Sequence, residues 1–163
     1  MELRSLQCHQ GTEQIILFLQ HVRLQDAPGG TMARMALDWF QLYCGVSFPV
    51  LSAPTIALPH APTGWISILR SFLSQCQGRI NLLPEWLRIP HALRQNDHFL
   101  MNAFLTLSLK PAQLQRLNYC RLYLQVENLS EICSIDGSHI LPAIAWHGHS
   151  LPSTSKLSWP VQT

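Results

Sequence analysis

The chain has 163 residues, enough for about one domain with a buried core. Only 12% of the residues are charged and 47% are hydrophobic, whereas a typical soluble domain is about 25% charged. This composition excludes an intrinsically disordered tail, which combines high charge with low hydrophobicity, and a strongly charged nucleic-acid coat. With a net charge of +2, any attraction to phosphate depends on the local placement of cations.

The helical periodicity of apolar residues predicts five α-helices. They are expected over residues 12–24, 31–44, 63–76, 96–107 and 111–125.

Residues at the helix ends support these boundaries. Thr12 is predicted to be the N-cap of the first helix, and Pro111 occupies a favoured first-turn position of the fifth. A short sixth helix is predicted to start at Asn128, because Asn128 and Glu131 have capping-box spacing, and to end by Ser134.

Two of the helices carry a long apolar row. The second presents Met32, Met35, Trp39, Leu42 and Tyr43 on one side, opposite Arg34, Asp38 and Gln41. The buried row of the third is predicted to comprise Trp65, Ile68, Leu69, Phe72 and Leu73.

Residues 46–62 join these two helices and contain four prolines. Each residue before a proline is pushed away from helical geometry, so the segment is expected to be extended. A connection of this length is unusual inside a domain. We predict an ordered, proline-rich strap whose apolar side chains gain from burial, namely Phe48, Val50, Leu51, Ile56 and Leu58.

The strap lies within the longest stretch without Asp, Glu, Lys or Arg, which runs from Trp39 to Leu69. That stretch is long enough to span a bilayer of about 30 Å. Because its prolines remove backbone donors and break a helix, the sequence predicts no membrane span.

The fold class is therefore predicted to be mainly α, an irregular domain of five to six helices over residues 1–150 with a proline-rich strap. After the Asp136-Gly137 turn signal the chain is rich in Pro, Ser, Thr, His and Gly. Residues 151–163 are expected to form a flexible, truncated tail.

The cysteines indicate a reduced, intracellular location. They are odd in number and widely spaced, which makes a poor disulfide framework. The one apolar run near the N-terminus, Ile15 to Leu19, is too short for the core of a secretory signal. The five are Cys8, Cys44, Cys76, Cys120 and Cys133.

Nine of the eleven basic residues are arginine. Arginine favours planar, hydrogen-bonded contacts over a solvated lysine surface. Codon or lineage bias explains the same count, and the sequence leaves both explanations open.

No catalytic set is found in the sequence. There is no cluster of carboxylates for two metal ions, no HExxH motif and no phosphate-binding glycine loop. Cys133, His139, His147 and His149 lie in one C-terminal region, but only His147 and His149 are spaced as a ligand pair. We predict no catalytic residue, no metal and no cofactor.

The fifth helix interleaves arginines and tyrosines in a manner suited to nucleic acid. Arg116 and Arg121 could bind phosphate while Tyr119 and Tyr123 stack on bases. In the alternative interpretation, the tyrosines complete the buried side of the helix and the arginines are solvated or paired with Glu127.

The sequence as a whole resembles a segment of retrotransposon open reading frames of unicellular eukaryotes, found downstream of the reverse transcriptase domain. The similarity is found in RLNYCRLYLQV at 116–126, LSEIC at 129–133 and DGSHI at 136–140. It extends to ALDWFQLYCG at 36–45, LPH at 58–60, Trp65, LRSFL at 69–73, DHFLM at 97–101 and SWP at 158–160.

The resemblance implies a non-catalytic accessory or scaffold region of a retroelement polyprotein, with a reverse transcriptase domain and its nucleic acid as partners. Nothing in the chain corresponds to the metal-binding carboxylates of the polymerase. The rival hypothesis is a helical protein-interaction module with no nucleic-acid role. The low charge, taken with the resemblance, predicts an apolar surface normally covered by a neighbour and self-association of the isolated chain.

Overall fold

The computed structural model describes residues 2–24, 26–86 and 94–141. Within these ranges the chain is mainly helical and forms no β-strand beyond two isolated bridges, which confirms the predicted fold class. The predicted tail, residues 151–163, lies outside the described residues. The helices are α1 Glu2–Arg23, α2 Pro28–Cys44, α3 Trp65–Gln75, α4 Leu100–Thr106 and α5 Pro111–Leu124, with 3₁₀ turns at Pro84–Trp86 and Leu129–Glu131.

Helix α1 begins ten residues earlier than predicted. The Thr12 hydroxyl donates to the Cys8 carbonyl at 2.8 Å, one turn back inside the helix, so the expectation that Thr12 is an N-cap is wrong. Helix α2 also begins early, at Pro28, because proline fits the first helical turn. Gly30 permits this start, since a Cβ there would collide with the Leu24 carbonyl oxygen.

Helix α5 begins at Pro111 as predicted and ends at Leu124, followed by Gln125 in the left-handed conformation. Helix α4 is shorter than predicted. Asn96 has a positive φ of 61°, which prevents a helix from starting there. The sixth helix is reduced to one 3₁₀ turn, at Leu129–Glu131.

The described contacts divide the chain into two compact units. Unit 1 is drawn from Met1–Gln41, Phe48–Ala57 and Pro62–Arg88. Unit 2 is drawn from Leu42–Ser47, Leu58–Ala61 and Ile89–Thr163. The single domain expected over residues 1–150 stays a prediction.

In unit 1, helices α1 and α3 pack together around aromatic side chains. The rings of Phe18 and Trp65 have centroids 5.8 Å apart. The strap is ordered, as predicted, with Val50 and Leu51 each 1% exposed, although Ile56 lies at the surface. The core of unit 1 comprises Phe18, Ala33, Leu37, Phe40, Val50, Leu51, Ile66, Leu69, Leu73 and Trp86.

The buried side of α3 differs from the prediction. Trp65 and Ile68 are exposed, whereas Ile66 and Arg70 are buried with Leu69 and Leu73. The prediction for Trp65 and Ile68 was wrong because the spacing of apolar residues does not take account of Arg70, whose guanidinium group is buried and binds carbonyl oxygens of the strap.

In unit 2, helices α4 and α5 pack against each other, and the core combines apolar with polar side chains. Its apolar members include Cys44, Val46, Phe99, Leu100, Met101, Leu114, Val126 and Cys133. The polar members are His60, Asn118, Arg121, Asn128 and Ser130.

Two further expectations can be compared with the described residues. All five cysteines lie there, and none of them is in a disulfide. Among the same residues, no helix is both long enough and apolar enough to cross a bilayer.

Candidate functional site

The four residues predicted to contact nucleic acid do not form one surface. Arg116 is exposed, Tyr119 is 38% exposed and Tyr123 is half-buried. Arg121 is only 3% exposed. The assignment of Arg121 to a nucleic-acid surface is therefore wrong, because its guanidinium group is enclosed within unit 2 and cannot reach a phosphate.

Arg121 instead binds the C-terminal end of α2. Its Nη2 donates to the carbonyl oxygens of Leu42 and Tyr43, at 2.7 and 2.9 Å. The last carbonyls of a helix have no donor within the helix, and the helix dipole is negative there. The guanidinium group of Arg121 supplies donors to these carbonyls and places a positive charge at the negative end of the dipole. Arg121 therefore has a structural role.

Glu127 partly compensates the charge of Arg121. The Nη1 of Arg121 lies 3.9 Å from Oε1 of Glu127. This confirms the pairing with Glu127 given in the alternative interpretation of the fifth helix. Burial lowers the pKa of Arg121, and the Glu127 carboxylate opposes that shift.

Two further side chains bind the same helix end, and with Arg121 we call them the capping cluster: Asn118, Arg121 and His60. Asn118 Nδ2 donates to the Tyr43 carbonyl at 3.0 Å, and its Oδ1 accepts from Arg121 Nε, also at 3.0 Å. His60 Nε2 lies 3.0 Å from the Cys44 carbonyl and must carry the proton, because a carbonyl oxygen only accepts.

The cluster fits closely under Gly45, the residue after α2. Gly45 has a φ of +63°, the left-handed conformation that ends many helices. A Cβ at this position would lie 2.6 Å from Cζ of Arg121. Glycine at position 45 therefore allows the left-handed conformation and leaves room for the guanidinium group of Arg121.

The phenol groups near the cluster are also engaged. Tyr119 forms a hydrogen bond with Tyr43, and burial together with this bond raises the pKa of Tyr43 to about 12. Gln115 Nε2 donates to the Tyr119 hydroxyl at 3.3 Å. The exposed part of the predicted nucleic-acid set is thus reduced to Arg116 and the Tyr119 ring.

The described residues contain no group of three or more His, Cys, Asp or Glu placed to hold a metal ion. Cys133 is buried, and the exposed His139 forms a hydrogen bond with the Ser138 hydroxyl. His147 and His149 lie outside the described residues.

An open groove of about 490 Å³ runs beside α1. Its lining described by the structure includes His9, Glu13, Leu17 and Gln20, all from that one helix. A small-molecule site usually has polar groups that converge from several elements. The groove does not have this arrangement.

The most distinctive surface of unit 1 is an apolar row on α2. Met32, Met35 and Trp39 are 70%, 66% and 56% exposed, and their spacing places them on one side of the helix. We call these three residues the α2 row. The other side of α2 buries Ala33, Leu37 and Phe40, so the helix has two apolar sides, of which one is buried.

The sequence already contains the signal for such a surface. A surface helix of a single domain needs one apolar stripe, whereas α2 has apolar residues at both Met32-Met35-Trp39 and Ala33-Leu37-Phe40. Hydrophobicity alone does not reveal which side faces the core.

Comparison of the chain with protein-family models, curated proteins and solved structures finds no match.

Proposed function

We propose that the chain is a non-catalytic scaffold region of a retroelement polyprotein, which holds proteins together through the α2 row. The exposure of Met32, Met35 and Trp39 carries this proposal. Large apolar side chains grouped on one face are typical of protein-docking surfaces. The retroelement context is supported by the sequence resemblance.

The chemistry of the row suits protein binding. Methionine adapts to varied surfaces, and tryptophan is among the residues that contribute most to binding at interfaces. Full burial of each such side chain contributes about 1.5–3 kcal/mol before the entropic cost of association. Three of them on adjacent turns supply enough driving force for a moderate interaction.

Nucleic-acid contact is the less supported role. Arg121 is enclosed in unit 2, and the Tyr119 hydroxyl is bonded to its neighbours. Arg116 and one partly exposed ring provide little positive charge with which to follow a phosphate backbone. The rival hypothesis of a protein-interaction module shares the docking surface and differs only in the genetic context.

Co-purification tests the proposal. A tagged copy of the chain is co-expressed with an untagged copy and with the reverse transcriptase domain of the same reading frame, obtained from the flanking DNA. We expect at least one of these proteins to be recovered with the wild-type chain. Recovery should fall severalfold with Met35→Glu and with Trp39→Glu, because burying an unpaired carboxylate in an apolar interface has a large free-energy cost.

The matched control is Ile135→Glu, which changes an equally apolar residue that is 90% exposed in unit 2. Equal recovery with the row variants and with this control would contradict the docking role. Flanking DNA without a reverse transcriptase domain or its remnants would contradict the retroelement context and leave the rival hypothesis.

A further inference from the structure

We propose that Cys8 and Cys76 are a redox-sensitive pair, which forms a reversible disulfide between α1 and α3 by exchange with a low-molecular-weight disulfide such as glutathione disulfide. Cys8 lies in α1, and Cys76 is the residue that ends α3. Both belong to unit 1. The inference goes beyond the proposed docking function and uses no residue of the α2 row.

These two residues are the accessible thiols of the chain. Cys44 and Cys133 are buried, and Cys120 is partly buried. Cys8 and Cys76 are exposed. Thiol–disulfide exchange needs sulfur atoms that a reagent can reach. The odd number of cysteines therefore still leaves one accessible pair.

Helices α1 and α3 run antiparallel. The ring of Phe18 in α1 lies beside that of Trp65 in α3, with centroids 5.8 Å apart. Seven residues earlier in α1, a Cβ on Gly11 would collide with the ring of Phe72, which lies seven residues later in α3. Residue numbers thus fall along α1 in the direction in which they rise along α3.

The antiparallel arrangement brings the two cysteines to the same level. Gly11 is buried and marks a close approach of α1 to Phe72. Cys8 lies one turn before Gly11, and Cys76 lies one turn after Phe72. Both cysteines are therefore just beyond this approach, at the same end of the helix pair.

The two cysteines also lie on the same side of the pair. A rotation of 100° per residue places Cys8 about 60° from Gly11 and Cys76 about 40° from Phe72, in the same sense of rotation. Because equal senses of rotation lead to the same side in an antiparallel pair, the two positions face each other.

The expected separation suits a disulfide. Packed helices have axes about 8–10 Å apart, and their Cα atoms lie about 2.3 Å from each axis. With these rotations, the packing geometry predicts roughly 5–7 Å between the Cα atoms of Cys8 and Cys76. Disulfides join Cα atoms that are about 4.4–6.8 Å apart, so the bond needs little movement of the backbone.

The N-terminal part of α1 gains most from such a link. Leu6, Cys8, His9 and Gln10 are all exposed, so few of the described side chains there hold the helix in place. A disulfide to Cys76 fixes this part of α1 to α3 and closes a loop of roughly 70 residues, which restricts the unfolded chain. In a reducing compartment the pair remains as two thiols.

Disulfide formation proceeds in two exchange steps. The thiolate of one cysteine attacks a sulfur of glutathione disulfide, forms a mixed disulfide and releases one glutathione thiolate. The thiolate of the other cysteine then attacks the protein sulfur of that mixed disulfide and releases the second glutathione. The two protein thiols lose two electrons to the reagent, and their two protons pass to the two released glutathione thiolates.

Oxidation of the purified full chain at low protein concentration is the first test. The chain is equilibrated with glutathione disulfide, free thiols are blocked, and proteolytic peptides are identified by mass spectrometry. We expect the main oxidised product to be a peptide pair joined through Cys8 and Cys76 and separated by reductant. A disulfide-linked dimer, or mixed disulfides at both residues without an internal link, would overturn the inference.

Single substitutions distinguish the pair from general thiol reactivity. In Cys8→Ser and in Cys76→Ser, the remaining exposed cysteine should stop at the mixed disulfide with glutathione, because no second thiol resolves it. The matched control, Cys120→Ser, removes a partly buried thiol and should be oxidised like the wild type. An internal link that persists in either single variant would assign the oxidation to other cysteines and overturn the pair.

Thermal unfolding provides the second measurement. Oxidation should raise the Tm of the wild type and of Cys120→Ser by about 5–10 °C, because the link restricts the unfolded chain. Cys8→Ser and Cys76→Ser should show no such rise. A wild-type Tm that is the same in the oxidised and reduced chains would overturn the role of the pair in fixing α1.

Discussion

Arg70 in unit 1 and Arg121 in unit 2 are both buried and both donate to main-chain carbonyls, but they serve different kinds of backbone. Arg70 binds carbonyls of the strap, at Val50 and at Ile56, the latter at 2.6 Å. Arg121 binds the last turn of a helix. Arginine thus supplies hydrogen-bond donors to the carbonyls of an irregular segment in one unit and to those of a helix end in the other.

The two sites differ in the number of side chains that donate to the main-chain carbonyls. At the helix end, Asn118 and His60 donate to the same short stretch as Arg121. In the strap, the prolines provide no N–H groups, and Arg70 reaches four carbonyls from one position. Unit 1 therefore depends more heavily on its arginine.

A second polar side chain helps Arg70 to hold the strap. Gln41 Nε2 donates to the Phe48 carbonyl and its Oε1 accepts from the Val50 N–H, each at 3.0 Å. The Gln41 amide thus forms the same types of hydrogen bond, one donated and one accepted, that the backbone of a neighbouring β-strand would form. It explains why a chain segment with no helix of its own is ordered.

The largest expected effect is on Arg70. Arg70→Met keeps the aliphatic volume but leaves several buried carbonyls without a donor, each costing about 1–3 kcal/mol. We expect the free energy of unfolding to fall by about 4 kcal/mol, measured by urea denaturation. Arg70→Lys should recover only part of this loss, because one ammonium group cannot reach all four acceptors.

The control for this change is Arg79→Met at an exposed position of the same unit, which should alter stability by less than about 0.5 kcal/mol. An Arg70→Met variant as stable as Arg79→Met would show that the strap does not depend on the guanidinium group.

A smaller effect is expected at Arg121. Arg121→Met leaves the Leu42 carbonyl without its donor and Glu127 without its partner, but Asn118 still binds Tyr43. We expect a loss of about 2–3 kcal/mol in the same urea experiment. A loss larger than that of Arg70→Met would reverse the comparison between the two sites.

The smallest effect concerns His60 and pH. Burial, with a contribution from Arg121, lowers the pKa of His60 below its ordinary value of 6.5. The unfolded chain then binds a proton more readily than the folded chain. The stability that depends on neutral His60 is complete above about pH 6.5 and is lost as the pH falls from there toward the lowered pKa.

Urea denaturation between pH 7.5 and about 5 measures this dependence. We expect His60→Gln to flatten the decline at acid pH, whatever its stability at pH 7.5. The control His98→Gln, at an exposed position, should keep the wild-type slope. An unchanged slope in His60→Gln would assign the acid sensitivity to other groups.

Three of the arginines have buried or half-buried positions that explain part of the arginine-rich composition. Arg70, Arg94 and Arg121 each donate to carbonyls of two or more residues, and Arg94 reaches Ser134 at 2.8 Å and Ser130 at 3.2 Å. These are the planar, hydrogen-bonded contacts for which arginine is suited. The count of arginines therefore has a structural basis in at least three positions.

The candidate site shows where sequence reasoning fails. The pattern Arg116-Tyr119-Arg121-Tyr123 matches a nucleic-acid surface, yet Arg121 turns inward to carbonyls that lie 78 and 79 residues earlier in the chain. Similarly, Met32, Met35 and Trp39 are apolar and at helical spacing but lie at the surface. The type of a residue indicates which groups its side chain can bind. It does not indicate which groups surround that side chain in the folded protein.

The sequence by itself determined the mainly helical architecture, the start of α5 at Pro111 and the ordered strap, because periodicity and proline geometry act over a few residues. Only the tertiary structure decided which side of each helix is buried. Arg70 and Arg121 are buried because each donates to several carbonyls, in the strap and at the end of α2, and a buried carbonyl without a donor costs about 1–3 kcal/mol. Those acceptors are distant in sequence, so no local pattern reveals them.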